Sequence, residues 1–284
     1  KYADFSKNNL HIVGYSQPIN KIISHRELKK HIHTDKNFKD AIPYVTSYYK
    51  KTWGFCLSQN QLKNLKSKKY KVIIDSSFKN GVMDYGEIVL NGKSKKEILF
   101  SSYICHPSLA NNELSGPVIN AALIHYVNSL KNKKYNYRFI FVPETIGSIA
   151  YLSKNLNKLK KDMLAGFIIN CAGDNRDYSF VRTPQKNTFA DEIMDSSFIG
   201  LKKKSIYEFT DRSSDERQFC SPGVELPVCS FSRSKAGSKT YPEYHTSLDN
   251  FSVVTKKGLE GSFKIFKNII DAFEIGAFPK AKNK

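Results

Sequence analysis

Apolar runs of strand length alternate with amphipathic runs of helix length along most of the chain. The strand-like runs include EILFSSYIC (97–105), YRFIFVP (137–143), AGFIINCAG (165–173) and ELPVCSFS (225–232). The helix-like runs are PVINAALIHYVNSL (117–130), SIAYLSKNLNKLK (148–160) and LEGSFKIFKNIIDAFEIG (259–276). Such alternation predicts an α/β fold with a mixed, mainly parallel central sheet and helices on both of its faces. We expect YKVIID (70–75) to belong to the same sheet.

Residues 1–60 follow a different pattern. NLHIVGYSQPIN (9–20) alternates like a strand, and SHRELKKHIH (24–33) opens with Ser24, a good helix cap. AIPYVTSYYKKTWGFCLS (41–58) is rich in aromatic and β-branched residues, which favours strands or an aromatic surface. We therefore predict a small β-rich accessory domain over 1–60, with a boundary as late as about residue 95, and an α/β domain over 61–284.

The composition is that of a globular protein without membrane-spanning segments. Of the 284 residues, 40% are hydrophobic and 13% aromatic, which is ample for a core. No apolar run reaches the ~18 residues that a membrane helix needs, and the first residues lack the apolar stretch of a signal peptide. The five cysteines are scattered and form no CxxC pair, so we expect reduced, buried thiols and a cytoplasmic location.

The net charge of +19 comes from lysine. Only 7 of the 45 basic residues are arginine, and the lysines are spread over the whole chain among asparagines. Proteins that recognise base edges in nucleic-acid grooves use arginine most often. We therefore expect no nucleic-acid partner, and we interpret the lysines as solvated surface, with an anionic substrate as the remaining alternative.

Unusual polar residues follow the predicted strands. His106 ends one strand run, Glu144 follows the next, and Asp174 follows the third, while His245 precedes the last helix. Open α/β sheets bind their ligands at the carboxyl ends of their strands, so these side chains are expected to converge there. His106, Glu113 and His245 form a donor set that zinc accepts, with one position left for water. Glu144 is the candidate base for that water, and its alternative role is the start of a helix.

The loop SSDERQF (213–219) is dense in charge. Asp215 is the candidate to orient a histidine ligand. Glu216 is a candidate for binding metal or a substrate amine, and Arg217 for binding an anionic group. The competing interpretation is a solvated loop with a local Asp215–Arg217 ion pair.

Five motifs in order resemble one family: CHPS…NNELSGP, PETIGSIAYL, CAGD, SDERQFCSPG and PEYHTSLD. They look like the aminopeptidase-like proteins encoded beside bacterial polysaccharide-biosynthesis genes, which belong to the zinc aminopeptidase clan. The first sixty residues resemble the small insert, a domain of unknown function, of the same proteins. The resemblance implies residues before Lys1 and a C-terminal winged-helix segment in the full-length protein.

The resemblance also implies roles for single residues. His106 matches the clan's first histidine ligand and His245 its last, Glu144 matches the general base, and Asp215 matches the aspartate of a Ser-Asp-His motif. Three clan carboxylates are replaced, because the bridging aspartate falls on Asn112, the second glutamate on Thr145 and a strand-end aspartate near Asn170. We therefore expect one zinc ion rather than two.

The sequence thus predicts a zinc-dependent amide-bond hydrolase that resembles aminopeptidases and is linked to surface polysaccharide biosynthesis. Its substrate would be a peptide or an amide-bearing sugar. The alternative is a non-catalytic scaffold or carbohydrate-binding protein with the same fold, which the replaced ligands favour. The oligomeric state stays open.

Overall fold

The structure is a computed structural model that describes residues 1–106 and 108–276. The chain forms two compact units, and neither is continuous in sequence. The first unit comprises Lys1–Val82, His106–Ala110 and Glu243–Asn250. The second comprises Met83–Cys105, Asn111–Pro242 and Phe251–Lys284. The histidine at the end of one strand and the segment around His245 thus pack with the N-terminal part of the chain.

The first unit is built from short strands and helices. These are β1 (Ile19–Ser24), α1 (His25–Lys29), β2 (Ile32–His33), β3 (Phe55–Cys56), α2 (Gln59–Lys63) and β4 (Lys69–Ile74). Strand β1 pairs antiparallel with β4, and β2 pairs parallel with β3. Ser24 caps α1 as predicted, because its hydroxyl accepts the N–H of Glu27 at 3.2 Å. A core that includes Leu57, Val72 and Ile74 lies beneath these elements.

Two expectations for strands were wrong. KVIID forms β4 in the first unit, not a strand of the central sheet. Its burial alternates residue by residue, with Val72 buried and Lys71 exposed, and this alternation is typical of a strand with one face in water. The strand predicted in 9–20 begins only after Pro18, since Asn9–His11 is a 3₁₀ turn. Of the two alternatives for 41–58, the aromatic surface holds for most of the segment, because it is largely loop with Tyr48 and Tyr49 exposed.

The second unit contains the central sheet. Its elements are β5 (Gly86–Leu90), β6 (Glu97–Tyr103), α3 (Ser115–Ser129), β7 (Asn136–Val142), α4 (Ile146–Asp162), β8 (Met163–Ile169), β9 (Ser179–Val181), α5 (Phe189–Ser197), β10 (Ser205–Tyr207), α6 (Glu216–Phe219), β11 (Val228–Ser232) and α7 (Lys256–Ile275). The strand order is β10-β9-β11-β8-β6-β7-β5. Four of the six strand pairings are parallel, so the predicted mixed, mainly parallel α/β fold is confirmed.

Helices cover both faces of this sheet, as expected for parallel strands. On one face Phe100 of β6 packs in a cluster with residues of α3, α5 and α7. On the other face Leu99, its neighbour, packs in a cluster with residues of α4 and α6. Successive side chains of a strand point to opposite faces, so a strand buried on both faces is mostly apolar. All seven residues of β6 are buried.

His106, Glu144 and Asp174 follow in sequence after β6, β7 and β8, respectively. These three strands are parallel neighbours in the middle of the sheet. After β6 the chain enters a π-helical turn over Ala110–Leu114 that runs directly into α3. All five cysteines are free thiols, and only Cys105 is exposed. Within the described residues, no helix has the length and apolar character required to cross a membrane.

Candidate functional site

Two histidines predicted from distant parts of the sequence lie side by side in the first unit. The ring centroids of His106 and His245 are 4.9 Å apart, with the ring planes tilted by 36°. Tyr44 packs edge-on against both rings, at 4.9 Å from His106 and 5.2 Å from His245. The segment around Tyr44 is held to the His245 segment by backbone pairing, since the N–H of Tyr44 donates to the carbonyl of His245 at 2.8 Å.

His245 is held in a form that suits a metal ligand. Its backbone has φ +58°, a left-handed conformation that costs free energy in a non-glycine residue. Its ring stacks on Tyr244 at 3.8 Å. Burial, and then the charge of His106, lower the pKa of His245 to about 3, so the imidazole is neutral at physiological pH. Its Nε2 atom is buried and has no hydrogen-bond partner among the described residues.

The spacing of the two rings fits a shared metal ion. An imidazole nitrogen binds zinc at about 2.0–2.1 Å, which places the ring centroid about 3.2 Å from the ion. Ring centroids 4.9 Å apart are close enough for both imidazoles to bind one such ion. A buried polar atom without a partner costs free energy, and a metal would supply the partner that Nε2 of His245 lacks.

Glu113 is positioned in the second unit by the residue that precedes His106 in the chain. The main-chain N–H of Cys105 donates to Oε2 of Glu113 at 2.7 Å, and the Cys105 thiol lies 3.6 Å from Oε1. Glu113 sits on the π-helical turn and is only 5% exposed. π-Helical turns are rare and occur frequently at functional sites.

The residue before it, Asn112, has a partner within the protein. Its side-chain amide donates to the hydroxyl of Tyr103 at 2.6 Å, and the residue is 1% exposed. Here the amide ties the π-helical turn to the end of β6.

Asp174 is enclosed by protein donors. Its Oδ1 accepts the N–H of Arg176 at 2.9 Å and the hydroxyl of Ser234 at 2.8 Å. Its Oδ2 accepts the amide of Asn111 at 3.2 Å and the N–H of Ser234 at 3.0 Å. With four donors and no solvent exposure, this carboxylate joins the loops that follow β8 and β11 to the π-helical turn.

Glu144 precedes a strained turn at the end of β7. Thr145 has φ 64° and ψ −68°, and the N–H of Ile146 donates to the carbonyl of Glu144 at 2.8 Å. These angles and this bond define a γ-turn of the rare positive-φ form. Strain of this kind costs about 1–3 kcal/mol and collects at functional sites. The γ-turn fixes the direction in which the backbone presents Glu144.

Asp215 holds that turn. Its Oδ1 accepts the N–H of Thr145 at 2.8 Å and the hydroxyl of Ser148 at 3.0 Å. The neighbouring Ser214 hydroxyl donates to Oε1 of Glu144 at 3.2 Å. Burial raises the pKa of Asp215 to about 7, and the charges of Glu144 and Glu216 also raise it, against these hydrogen bonds. Oδ2 of Asp215 is buried and has no hydrogen-bond partner among the described residues.

Glu216 and Arg217 differ sharply in exposure. Glu216 is fully buried, and its Oε1 accepts the backbone N–H groups of Ser213 at 2.6 Å and Ser214 at 3.0 Å. Arg217 is exposed and donates to the carbonyl of Ser214 and the hydroxyl of Thr145. The partners of Arg217 are therefore a backbone carbonyl and a hydroxyl, rather than the carboxylate of Asp215 that the competing interpretation expected.

Sequence reasoning singled out both histidines and Glu144 but missed the contact of Tyr44 with the histidines and the strained turn at Thr145. Thr145 carried one signal, since it directly follows Glu144 after a strand and proline, where a tight turn is favoured. Tyr44 carried none, because its contact with His245 joins segments about two hundred positions apart in the chain.

Comparison with known proteins agrees with this fold. The profile of a family described as "Domain of unknown function (DUF4910)" matches residues 11–276. A Clostridium acetobutylicum relative, named for polysaccharide biosynthesis and an aminopeptidase-like domain, is 42% identical over 275 residues, covering 96% of this chain and 62% of the relative. A crystal structure of a protein from the same organism, named as a peptidase, has a TM-score of 0.91 and 40% identity, over 96% of this chain and 64% of that one.

More distant similarity identifies the fold alone. The zinc aminopeptidase BSAP from Bacillus subtilis has a TM-score of 0.65 at 15% identity, covering 88% of this chain and 64% of that chain. The chain spans somewhat less than two thirds of the length of each of these three relatives. Because the family profile matches nearly the whole chain and the architecture is that of the zinc aminopeptidases, the chain belongs to the DUF4910 family and has an aminopeptidase-like fold.

Proposed function

We propose that the chain is a zinc-dependent hydrolase of amide bonds with aminopeptidase-like chemistry. The observation that carries this proposal is the pairing of His106 with His245, whose buried Nε2 has no hydrogen-bond partner among the described residues. A neutral imidazole in a strained, tightly packed setting is expensive to maintain unless its lone pair is used.

The proposed ligands are His106, His245 and Glu113. Two imidazole nitrogens and a carboxylate oxygen are a common protein ligand set of catalytic zinc. Glu113 is bound to the main chain of Cys105, one peptide bond from His106, which supports its role as the third ligand. We propose one ion, because the carboxylate of Asp174 is already used by four protein donors.

The residues around Glu144 supply the proton transfer in this proposal. Bound zinc would polarise the scissile carbonyl and lower the pKa of water at the site. Glu144 takes the proton of the attacking water and returns it to the leaving amine. The γ-turn at Thr145 fixes the direction in which the backbone presents Glu144. Asp215 keeps that turn in place through the Thr145 N–H. Neither carboxylate oxygen of Asp215 is bonded to a histidine among the described residues, so its proposed role is to position Glu144 rather than to orient a histidine ligand.

The substrate in this proposal is a peptide N-terminus or an amide-bearing sugar. Glu216 is fully buried and bound by two backbone N–H groups, so it does not reach a substrate amine in this structure, whereas the exposed Arg217 is available to an anionic group of the substrate. The name of the Clostridium acetobutylicum relative supports a setting in polysaccharide biosynthesis.

Metal analysis of purified protein tests the proposal. Protein prepared without a histidine tag or added zinc should contain close to one zinc per chain. His106→Ala should lose most of it while keeping the circular dichroism spectrum, because His106 lies after the strand and outside the core. His125→Ala is the matched control, since His125 is exposed on α3. Wild-type protein without stoichiometric metal, or His106→Ala with full zinc, would overturn the assignment.

A second candidate function is a non-catalytic scaffold. Asn112 and Asp174 favour it, because the former lacks the clan's carboxylate and the latter is enclosed by protein donors. Turnover separates the two candidates. A scaffold would hydrolyse no aminoacyl, peptide or N-acyl-sugar amide even when loaded with zinc.

A further inference from the structure

A tyrosine in the first unit occupies a backbone position that normally belongs to glycine. The N–H of Ser16 donates to the carbonyl of Val13 at 3.1 Å, which closes a turn with Tyr15 at its third position. Tyr15 has φ +65° there. A positive φ at this position is met by glycine or asparagine in most turns, and it is a genuine outlier for a bulky residue. Tyr15 is nevertheless 59% exposed, so most of its surface lies in water.

The same backbone holds two further tyrosines beside it. The loop that carries Tyr48 and Tyr49 is tied to the Tyr15 segment at both ends, by Ser47 N–H to the carbonyl of Gly14 at 3.0 Å and by Gln17 N–H to the carbonyl of Thr52 at 2.8 Å. Tyr48 lies 4.9 Å from Tyr15 and 6.3 Å from Tyr49, measured between ring centroids.

These rings face water. Tyr48 is 58% exposed and Tyr49 is fully exposed, at 102%. Tyr15, Tyr48 and Tyr49 are named here the tyrosine platform. Lys50 and Lys51 follow directly in the sequence, are exposed, and form no ion pair with any residue that the structure describes. The platform thus combines three anchored aromatic rings with two unneutralised cations.

We propose that the tyrosine platform binds an acidic polysaccharide, an activity distinct from the proposed hydrolysis. The C–H faces of a pyranose ring carry partial positive charge and pack on the negative face of an aromatic ring. Ring hydroxyls and the two lysines match the hydroxyls and carboxylates of a uronic acid.

The size of the platform favours a sugar chain over a protein. At about 200 Å² per tyrosine, the exposed fractions leave roughly 440 Å² of tyrosine surface in water. A standard protein interface needs about 800 Å² on each partner. Large exposed aromatic patches mark binding sites, and this one suits two or three sugar rings.

Calorimetric titration of the full chain with hexagalacturonate tests the proposal, with maltohexaose as the neutral probe. The acidic hexasaccharide should bind, and binding should weaken as salt rises from about 50 to about 500 mM, because screening removes the lysine contribution. Tyr49→Ala should reduce affinity about tenfold or more, which corresponds to the loss of one well-stacked ring. Lys50→Ser with Lys51→Ser should also weaken binding and flatten the salt dependence.

The backbone strain provides a second readout. Tyr15→Gly should weaken binding yet leave the melting temperature no lower than that of the wild type, since glycine accepts φ +65°. A ring kept for packing would instead lower the melting temperature when removed.

Two matched controls come from the same unit. Tyr2→Ala removes a half-exposed tyrosine outside the platform, and Lys68→Ser with Lys69→Ser removes another exposed consecutive pair. Both should bind like the wild type. Failure of hexagalacturonate to bind, equal binding of maltohexaose, or equal losses in platform and control variants would each overturn the proposal. So would concentration-dependent dimerisation that Tyr49→Ala abolishes, because the platform would then be a contact between copies of the chain.

Discussion

Replacing Asp215 with asparagine is expected to change how the stability of the protein depends on pH. Asp215 is fully buried, and burial raises its pKa to about 7, from 3.8 for an ordinary aspartate. Between these two pH values the unfolded chain releases the proton while the folded protein keeps it. Stability from this group is therefore fully present below about pH 3.8, falls as the pH rises towards 7, and is constant above.

The size of the effect follows from the two pKa values. A difference of about three pH units corresponds to roughly 4 kcal/mol of lost stability above pH 7. Between pH 5 and pH 8 the wild type should lose roughly 2–3 kcal/mol through Asp215. An asparagine at 215 has no proton to release. Its amide can still accept the Thr145 N–H, and any cost of burying its NH₂ group, about 1–3 kcal/mol, does not depend on pH.

Urea denaturation at pH 5 and pH 8, in the presence of a chelator, measures this difference. The free energy of unfolding of Asp215→Asn relative to the wild type should rise by roughly 2–3 kcal/mol between the two pH values. Asp211→Asn, in the exposed part of the same loop, is the control and should show no such change. If the free energy of unfolding of Asp215→Asn differed from that of the wild type by the same amount at both pH values, the raised pKa of Asp215 would be refuted.

Three further substitutions test the site. Glu144→Gln should keep fold and zinc but lower kcat by about 10²–10⁴-fold, because an amide cannot accept the proton; unchanged kcat in steady-state assays would rule out the base. Tyr44→Ala removes the ring packed on both histidines and should weaken zinc affinity by about 10–100-fold. Chelator competition measures this affinity, with Tyr48→Ala as the control, and equal zinc affinities of the two variants would contradict a role of Tyr44 in positioning the histidines. Thr145→Gly relieves the strained γ-turn, so thermal unfolding should show equal or slightly higher stability, by up to about 1 kcal/mol, together with a lower kcat; a large loss of stability would show that the turn is not strained.

The sequence predicted the central strands because their burial on two faces leaves mostly apolar runs without the alternation of a half-exposed strand, as in YRFIFV (137–142) of β7 and GFII (166–169) of β8. The strand run KVIID was assigned to the wrong sheet. Its short apolar run resembles a central strand, and only the exposed lysines that alternate with buried residues in β4 indicate a strand with one face in water. β9 and β10, of three residues each, escaped prediction because so short a run has no detectable period.

The candidate site was also predictable only in part. His106 and Glu144 were predictable because each follows an apolar strand run, and chain order alone places them at the strand ends. The γ-turn at Thr145 was not, because its φ is imposed by a hydrogen bond from a loop seventy residues away. The left-handed backbone of Tyr15 is equally silent in the sequence, where glycine is the usual signal of such a turn.

A crystal structure of zinc-soaked protein, with diffraction data on both sides of the zinc absorption edge, tests the proposed metal centre most directly. One anomalous peak per chain is expected, at about 2.0–2.1 Å from ring nitrogens of His106 and His245 and at about 2.0–2.2 Å from a Glu113 oxygen. Absence of a peak between the two imidazoles, or a peak held by other side chains, would contradict it.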